Sequence, residues 1–145
     1  MSQQLSPNFS LREMLRSDTA TRLGFTEQYD PPQTVIDSLT VLCKKLLQPI
    51  RELYGGHILV SSGWRCGRLN DHVGGKPNSQ HLRGEAADLD FGTTEANKIL
   101  FEQIVFWQKK GWIEFDQLIN EYNYDWIHIS YKRTGINRNQ VLNIS

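Results

Sequence analysis

An α+β domain with a small, mainly antiparallel sheet and flanking helices is predicted by three features of the sequence. The first third carries apolar residues at helical spacing, short strand-like runs follow residue 57, and one capped helix is inserted among those runs. The 145 residues are enough for one domain with one core, so 1–145 is read as a single unit.

Residues 9 to 23 read as one or two short helices. Ser10 caps the first, with Glu13 three positions on as the return half of a capping box. Ser17 or Asp18 caps the second, and Gly24 stops it. Pro31-Pro32 leads into the strongest helical run, Thr34 to Tyr54, where Val35, Leu39, Leu42, Leu46, Ile50 and Leu53 recur three and four apart. Pro49 lies inside that run and is expected to kink or split it, because it lacks an N–H and clashes with the preceding turn. Gly55-Gly56 ends it. His57 to Ser61 then reads as a short strand, and Ser62 to Asn78 as a long loop holding Arg65 and Arg68. Loops of that length in a compact domain are usually functional or mobile. Gly84 introduces a strand through Ala86 to Phe91. Thr93 or Thr94 caps a helix to Lys110, with Ile99, Val105 and Phe106 on its apolar side and Gly111 as its stop. Strands at Phe115 to Asn120 and Trp126 to Tyr131 close the domain, and Thr134 to Ser145 carries no strong signal.

Composition excludes several classes of function. Sixteen Lys and Arg balance sixteen Asp and Glu, so the long-range field of a general nucleic-acid or acidic-membrane binder is missing. Neither partner is expected, and the chain is expected to be a monomer. No apolar run approaches the roughly 20 residues that cross a bilayer. Met-Ser-Gln-Gln-Leu-Ser-Pro lacks the basic and apolar regions of a secretory signal, so the expectation is a cytoplasmic chain until release. Cys43 and Cys66 are too few for a disulfide scaffold and read as reduced, buried thiols.

The chemistry concentrates in Ser79-Gln80-His81-Leu82-Arg83-Gly84-Glu85-Ala86-Ala87-Asp88. Asp88 emerges from an apolar strand, where an unpaired carboxylate is costly. A metal ion, an arginine or a set of backbone amides would each serve as its partner. In Asp125-Trp126-Ile127-His128-Ile129-Ser130, alternation sends Ile127 and Ile129 to the core and Trp126, His128 and Ser130 to the other face. Two histidines and one carboxylate leave a fourth tetrahedral position for water, the catalytic pattern for zinc. Asp125, three residues before His128, can then act as the base. Taken singly, His81 and His128 are more often structural than ligating, and Asp90 shares the parity of Asp88, so spacing alone leaves both carboxylates open.

Ser79-x-His81-x-x-Gly84-x-Ala86-x-Asp88 followed by Trp126-x-His128 resembles the zinc D-alanyl-D-alanine carboxypeptidases and related phage and bacterial cell-wall peptidases. Val60-Ser61-Ser62-Gly63-Trp64-Arg65, Asn70, Gly74-Gly75 and Phe115-Asp116-Gln117-Leu118-Ile119 are similar to other stretches of that family, so the likeness covers roughly residues 8 to 133. The resemblance implies a hedgehog/DD-peptidase-like fold and one zinc ion on His81, Asp88 and His128, which chooses Asp88 over Asp90. It implies Arg65 as the arginine that anchors a substrate carboxylate or polarises the scissile carbonyl. It also places the catalytic acid at Asp125. Strict strand alternation turns Asp125 from the His128 face, so Glu121 is the second candidate, reachable if Tyr122 to Tyr124 is a turn. The expected activity is hydrolysis next to D-amino acids in peptidoglycan stem peptides, as a carboxypeptidase or an endolysin-like endopeptidase acting at the cell wall. The alternative is a non-catalytic cell-wall or phage-tail binding module on the same fold.

Overall fold

The computed structural model describes residues 3–144. A two-stranded ribbon of β1 (Gln4–Ser6) and β2 (Phe9–Ser10) opens the chain and leads into α1 (Leu11–Leu15) and α2 (Asp18–Leu23). Both helices start as the sequence predicts. The Ser10 hydroxyl accepts the Glu13 N–H, and the Ser17 hydroxyl accepts the Ala20 N–H.

The long helical run is split. Helix α3 (Gln33–Leu42) passes into a π-helical turn at Cys43–Leu47 before α4 (Gln48–Tyr54). The Gln48 N–H reaches back five residues to the Cys43 carbonyl. This widened turn lies immediately before Pro49, where an α-helical N–H is missing and the ring crowds the preceding turn. Leu39, Leu42, Cys43, Leu46, Leu47 and Ile50 are all fully buried along this bent rod, which forms the floor of the core. Leu53 departs from the expected stripe and is exposed at the rod's end.

Five strands form the main sheet in the order β3-β4-β6-β5-β7. These are β3 (Val60–Ser62), β4 (Ala86–Leu89), β5 (Gln117–Glu121), β6 (Trp126–Ser130) and β7 (Gln140–Ile144). All neighbours are antiparallel except β5 and β7. The expected α+β architecture is present, with three corrections. The stretch expected as a loop from Ser62 to Asn78 contains α5 (Gly67–His72), a short helix that buries Leu69 and Asn70. The tail, expected to be featureless, supplies β7, whose pairing with β5 is a backbone property that its mostly exposed side chains do not advertise.

The third correction concerns α6 (Thr94–Lys109), which Thr93 caps. Its buried face is Asn97, Leu100, Phe101, Ile104 and Trp107, while Ile99 and Phe106 point to solvent. Two apolar stripes compete on this helix, and the sheet takes the one carrying Phe101 and Trp107 because it removes more apolar area from water. Both cysteines are free and buried. Among the described residues no helix is long and apolar enough to cross a membrane.

Candidate metal centre

Sheet register brings two of the predicted ligands together. Asp88 on β4 pairs with His128 on β6, and Ser62 on β3 pairs with Asp88. Directly opposed residues of antiparallel strands project to one face. Ile127 and Ile129, on the other face, are fully buried, so the predicted alternation along β6 is present.

His81 arrives from a 3₁₀ turn, Gln80–Arg83, that the sequence does not signal. The Ser79 hydroxyl caps this turn by accepting the His81 N–H at 3.2 Å. Gly84 ends it with φ at 75°, and a Cβ there would meet the Val35 carbonyl oxygen at 2.8 Å. Glycine therefore allows both the reversal and the close approach to α3.

His81 Nε2 lies 3.1 Å from Asp88 Oδ1, and His128 Nδ1 lies 3.4 Å from the same oxygen. The three ligand atoms all fall within 4.8 Å of one another. Zinc bonds of about 2.0–2.2 Å in tetrahedral geometry would place neighbouring ligand atoms about 3.3–3.5 Å apart. The two separations that involve Asp88 Oδ1, 3.1 and 3.4 Å, lie close to that requirement. The orientation of His81 fits as well, since its Nδ1 is 2.7 Å from the Gly63 carbonyl. Donation of Nδ1–H to that oxygen leaves the Nε2 lone pair aimed at the cluster. The His81 side chain is 3% exposed and that of His128 12%, so the centre is closed below and reachable from the His128 side.

Burial pushes the Asp88 carboxyl up, but the charges and hydrogen bonds of His81 and His128 more than offset this and hold it well below the usual carboxylate range. Arg65 completes the cluster. Its Nη2 donates to Asp88 Oδ2 at 3.1 Å, Nε to Ser62 Oγ at 3.1 Å, and Nη1 to Asn70 Oδ1 at 3.2 Å. Asn70 is itself buried and donates to the Lys76 carbonyl, so α5 braces the guanidinium. A cavity of about 310 Å³, lined in part by Arg16, Ser61, Ser62, Trp64 and Arg65, opens beside it.

Asp90 is engaged elsewhere, accepting from the Gly92 N–H and the Asn97 amide. Glu121 pairs with Trp126 and so shares the face of His128. Burial raises its pKa, the negative charge of Asp88 adds to the rise, and His128, His81 and Arg65 oppose it. Asp125 is exposed, and its N–H donates to the Glu121 carbonyl at 3.0 Å. Between them Tyr122, Asn123 and Tyr124 have φ of 49°, 56° and 63°. Three non-glycine residues in the left-handed region are strained. Asn120 Oδ1 on the Tyr124 N–H and the Asn97 amide on the Tyr124 and Asp125 carbonyls hold them there. The turn at 122–124, on which the reach of Glu121 depends, is therefore present, and the Glu121 carboxylate feels the charges of Asp88, His128, His81 and Arg65, whereas the exposed Asp125 side chain makes no contact with the cluster.

No curated protein matches the chain. The Peptidase M15 profile matches residues 7–130, from the first ribbon to the end of the His128 strand. Peptidases of that group are zinc dependent, in keeping with the donor set gathered on this sheet face. The chain belongs to the Peptidase M15 family of zinc D-Ala-D-Ala carboxypeptidase-like peptidases.

Proposed function

We propose that the protein is a zinc metallopeptidase that hydrolyses peptide bonds next to D-amino acids in peptidoglycan stem peptides. The observation that carries this reading is the His81–Asp88–His128 cluster, nearly closed to solvent and flanked by a braced arginine. His81 Nε2, Asp88 Oδ1 and His128 Nδ1 would hold the ion. When bound, zinc supplies Lewis-acid polarisation of the scissile carbonyl and of the attacking water.

The chain's own groups supply binding and proton transfer. Arg65 has five N–H donors and spends three on Ser62, Asn70 and Asp88. One N–H on each terminal nitrogen is left for a substrate carboxylate or for the charge that develops on the carbonyl oxygen. Asp125 takes a proton as water oxygen bonds to the carbonyl carbon, and returns it to the amine nitrogen as the C–N bond breaks. The products are a carboxylate and a free amine, with no acyl-enzyme, so β-lactams leave no covalent adduct.

Glu121 is the second reading for the proton carrier, favoured by its place on the His128 face and its burial-raised pKa. Asp125→Asn and Glu121→Gln separate the two. Loss of about 10²–10⁴-fold in turnover on Asp125→Asn, with a smaller loss on Glu121→Gln, supports Asp125. The reverse order assigns the role to Glu121.

The site of action is the bacterial cell wall. Mass spectrometry of products from defined muropeptides tests the activity and identifies the bond. A zinc-loaded chain that binds sacculi without releasing peptide overturns the peptidase reading in favour of a binding module.

A further inference from the structure

The segment after Ser130 lies outside the family match, yet it reaches the metal centre through one buried carboxylate. Asp116 has no exposed surface. Its Oδ1 accepts the backbone N–H of Arg138 at 3.2 Å and the Nε–H at 2.9 Å. Its Oδ2 accepts Arg138 Nη2 at 2.8 Å and Gln80 Nε2 at 3.0 Å. Lys132 Nζ adds a second cation at 3.8 Å from Oδ1. These four hydrogen bonds fill the roughly four acceptor directions of a carboxylate. A buried carboxylate without its cation is costly, so Arg138 is what allows Asp116 to sit there charged.

Gln80 is the link that matters for function. It is the first residue of the 3₁₀ turn that presents His81. Short 3₁₀ turns have poor hydrogen-bond geometry of their own and depend on outside anchors. Anchors on its backbone include the Ser79 hydroxyl on the His81 N–H, the Arg65 N–H on the His81 carbonyl at 3.1 Å, the Trp64 Nε1–H on the Leu82 carbonyl at 3.0 Å, and the Glu85 N–H on the Gln80 carbonyl at 3.1 Å. The Gln80 amide ties the same turn to Asp116, a residue 36 positions away in sequence. The segment after Ser130, a C-terminal strap, is held down independently by β7 against β5, by the Asn139 N–H on the Phe115 carbonyl, and by the Gln140 N–H on the Asp116 carbonyl.

We propose that Asp116 and Arg138 are positioning residues for the metal centre: the C-terminal strap clamps Asp116, Asp116 holds Gln80, and Gln80 fixes the turn that aims His81. This rests on the zinc reading given above. Neither residue touches substrate or metal. Their effect is on how well His81 is preorganised as a ligand.

The test uses the full chain with Gln80→Leu, Arg138→Ala and the double substitution. Zinc affinity is measured by competition with a chelator, and ligation by the absorption spectrum of the cobalt-substituted protein, with thermal stability followed alongside. Gln80→Leu leaves the Asp116–Arg138 pair in place and so keeps the fold. It is expected to weaken zinc binding about tenfold or more, as loss of a ligand-orienting contact does, and to alter the cobalt spectrum. Arg138→Ala is expected to weaken zinc binding comparably. The double variant is expected to be no weaker than the worse single one, because both act along one chain of contacts. Wild-type zinc affinity and an unchanged cobalt spectrum in Gln80→Leu overturn the proposal, even if melting falls. Multiplying losses in the double variant overturn the shared route. A wild-type chain that takes up no zinc overturns the metal reading itself, and this inference with it.

Discussion

Gly63→Ala places a methyl group where the structure has no room for one. A Cβ on Gly63 would lie 2.3 Å from the Met14 carbonyl oxygen and 3.0 Å from both the carbonyl carbon and Cα of Met14. All three are backbone atoms, so no side chain can swing aside. Restoring ordinary contact requires a displacement of about 1 Å between the end of β3 and helix α1. The Trp64 N–H to Met14 carbonyl bond, 3.0 Å long, spans that same gap and would be lost. Overpacking of about 1–3 kcal/mol and a lost hydrogen bond of about 1 kcal/mol give a cost of roughly 2–4 kcal/mol. For a domain of this size that corresponds to a fall in Tm of roughly 5–15 °C. The metal centre should suffer too, since the Gly63 carbonyl orients His81 across 2.7 Å. Zinc affinity is expected to drop about tenfold or more. Thermal denaturation followed by circular dichroism gives the first number, and chelator competition the second. Gly67→Ala is the control, because no atom lies within 4 Å of a Cβ there. It should match the wild type or gain about 0.4–1 kcal/mol. A Gly63→Ala protein that melts within about 2 °C of wild type would refute the steric reasoning.

Other consequences of the structure are open to measurement. Burial pushes Asp116 up, but the Arg138 and Gln80 contacts prevail and bring its pKa down from 3.8 to about 2. A carboxylate with a depressed folded pKa contributes stability above its unfolded pKa and loses it as pH falls through the folded value. Urea unfolding should therefore show wild type losing about 2 kcal/mol between pH 5 and pH 2 that Asp116→Asn does not lose; equal losses would remove Asp116 as the cause. Burial pushes the Cys43 thiol up to about 12, so it should resist thiol reagents at pH 8 until the chain is unfolded. Asn97 is 1% exposed and serves Asp90, Phe91, Tyr124 and Asp125. Asn97→Ala should cost roughly 2–3 kcal/mol in urea unfolding and reduce turnover by releasing the strained turn beside Asp125.

Local signals explain which parts of this fold could be read in advance. Ser10, Ser17 and Thr93 cap helices because a short hydroxyl side chain answers the free N–H groups of the first turn, a rule that needs no tertiary context. The same holds for alternation in β6, which sends His128 to one face and Ile127 and Ile129 to the other. Features set by partners distant in sequence were hidden. The buried face of α6 depends on which of two apolar stripes meets the sheet, and β7 exists through backbone pairing with β5. Helix α5 is short and bounded by Gly67, and it buries a polar Asn70 that braces Arg65, so it carries almost no periodic signal.

At the site, the three proposed ligands stood out as residue types at motif spacing, and register unites two of them while a 3₁₀ turn delivers the third. The supporting contacts were not legible. Nothing local links Asp116 to Gln80 or Arg138, because each contact is made only once the strap has folded back. Strand alternation could not place Asp125 and Glu121 either, since a left-handed turn at Tyr122 to Tyr124 interrupts the strand geometry on which alternation rests.

The account stands most directly on one titration. The purified chain is stripped with a chelator and zinc is returned in steps while new amino termini released from defined muropeptides are counted. Cleavage should vanish on stripping, return in full at one zinc per chain, and fail to return in Asp88→Asn at the same zinc level. Cleavage that persists in the stripped protein, or a zinc-loaded wild type that releases no amino termini, would contradict it.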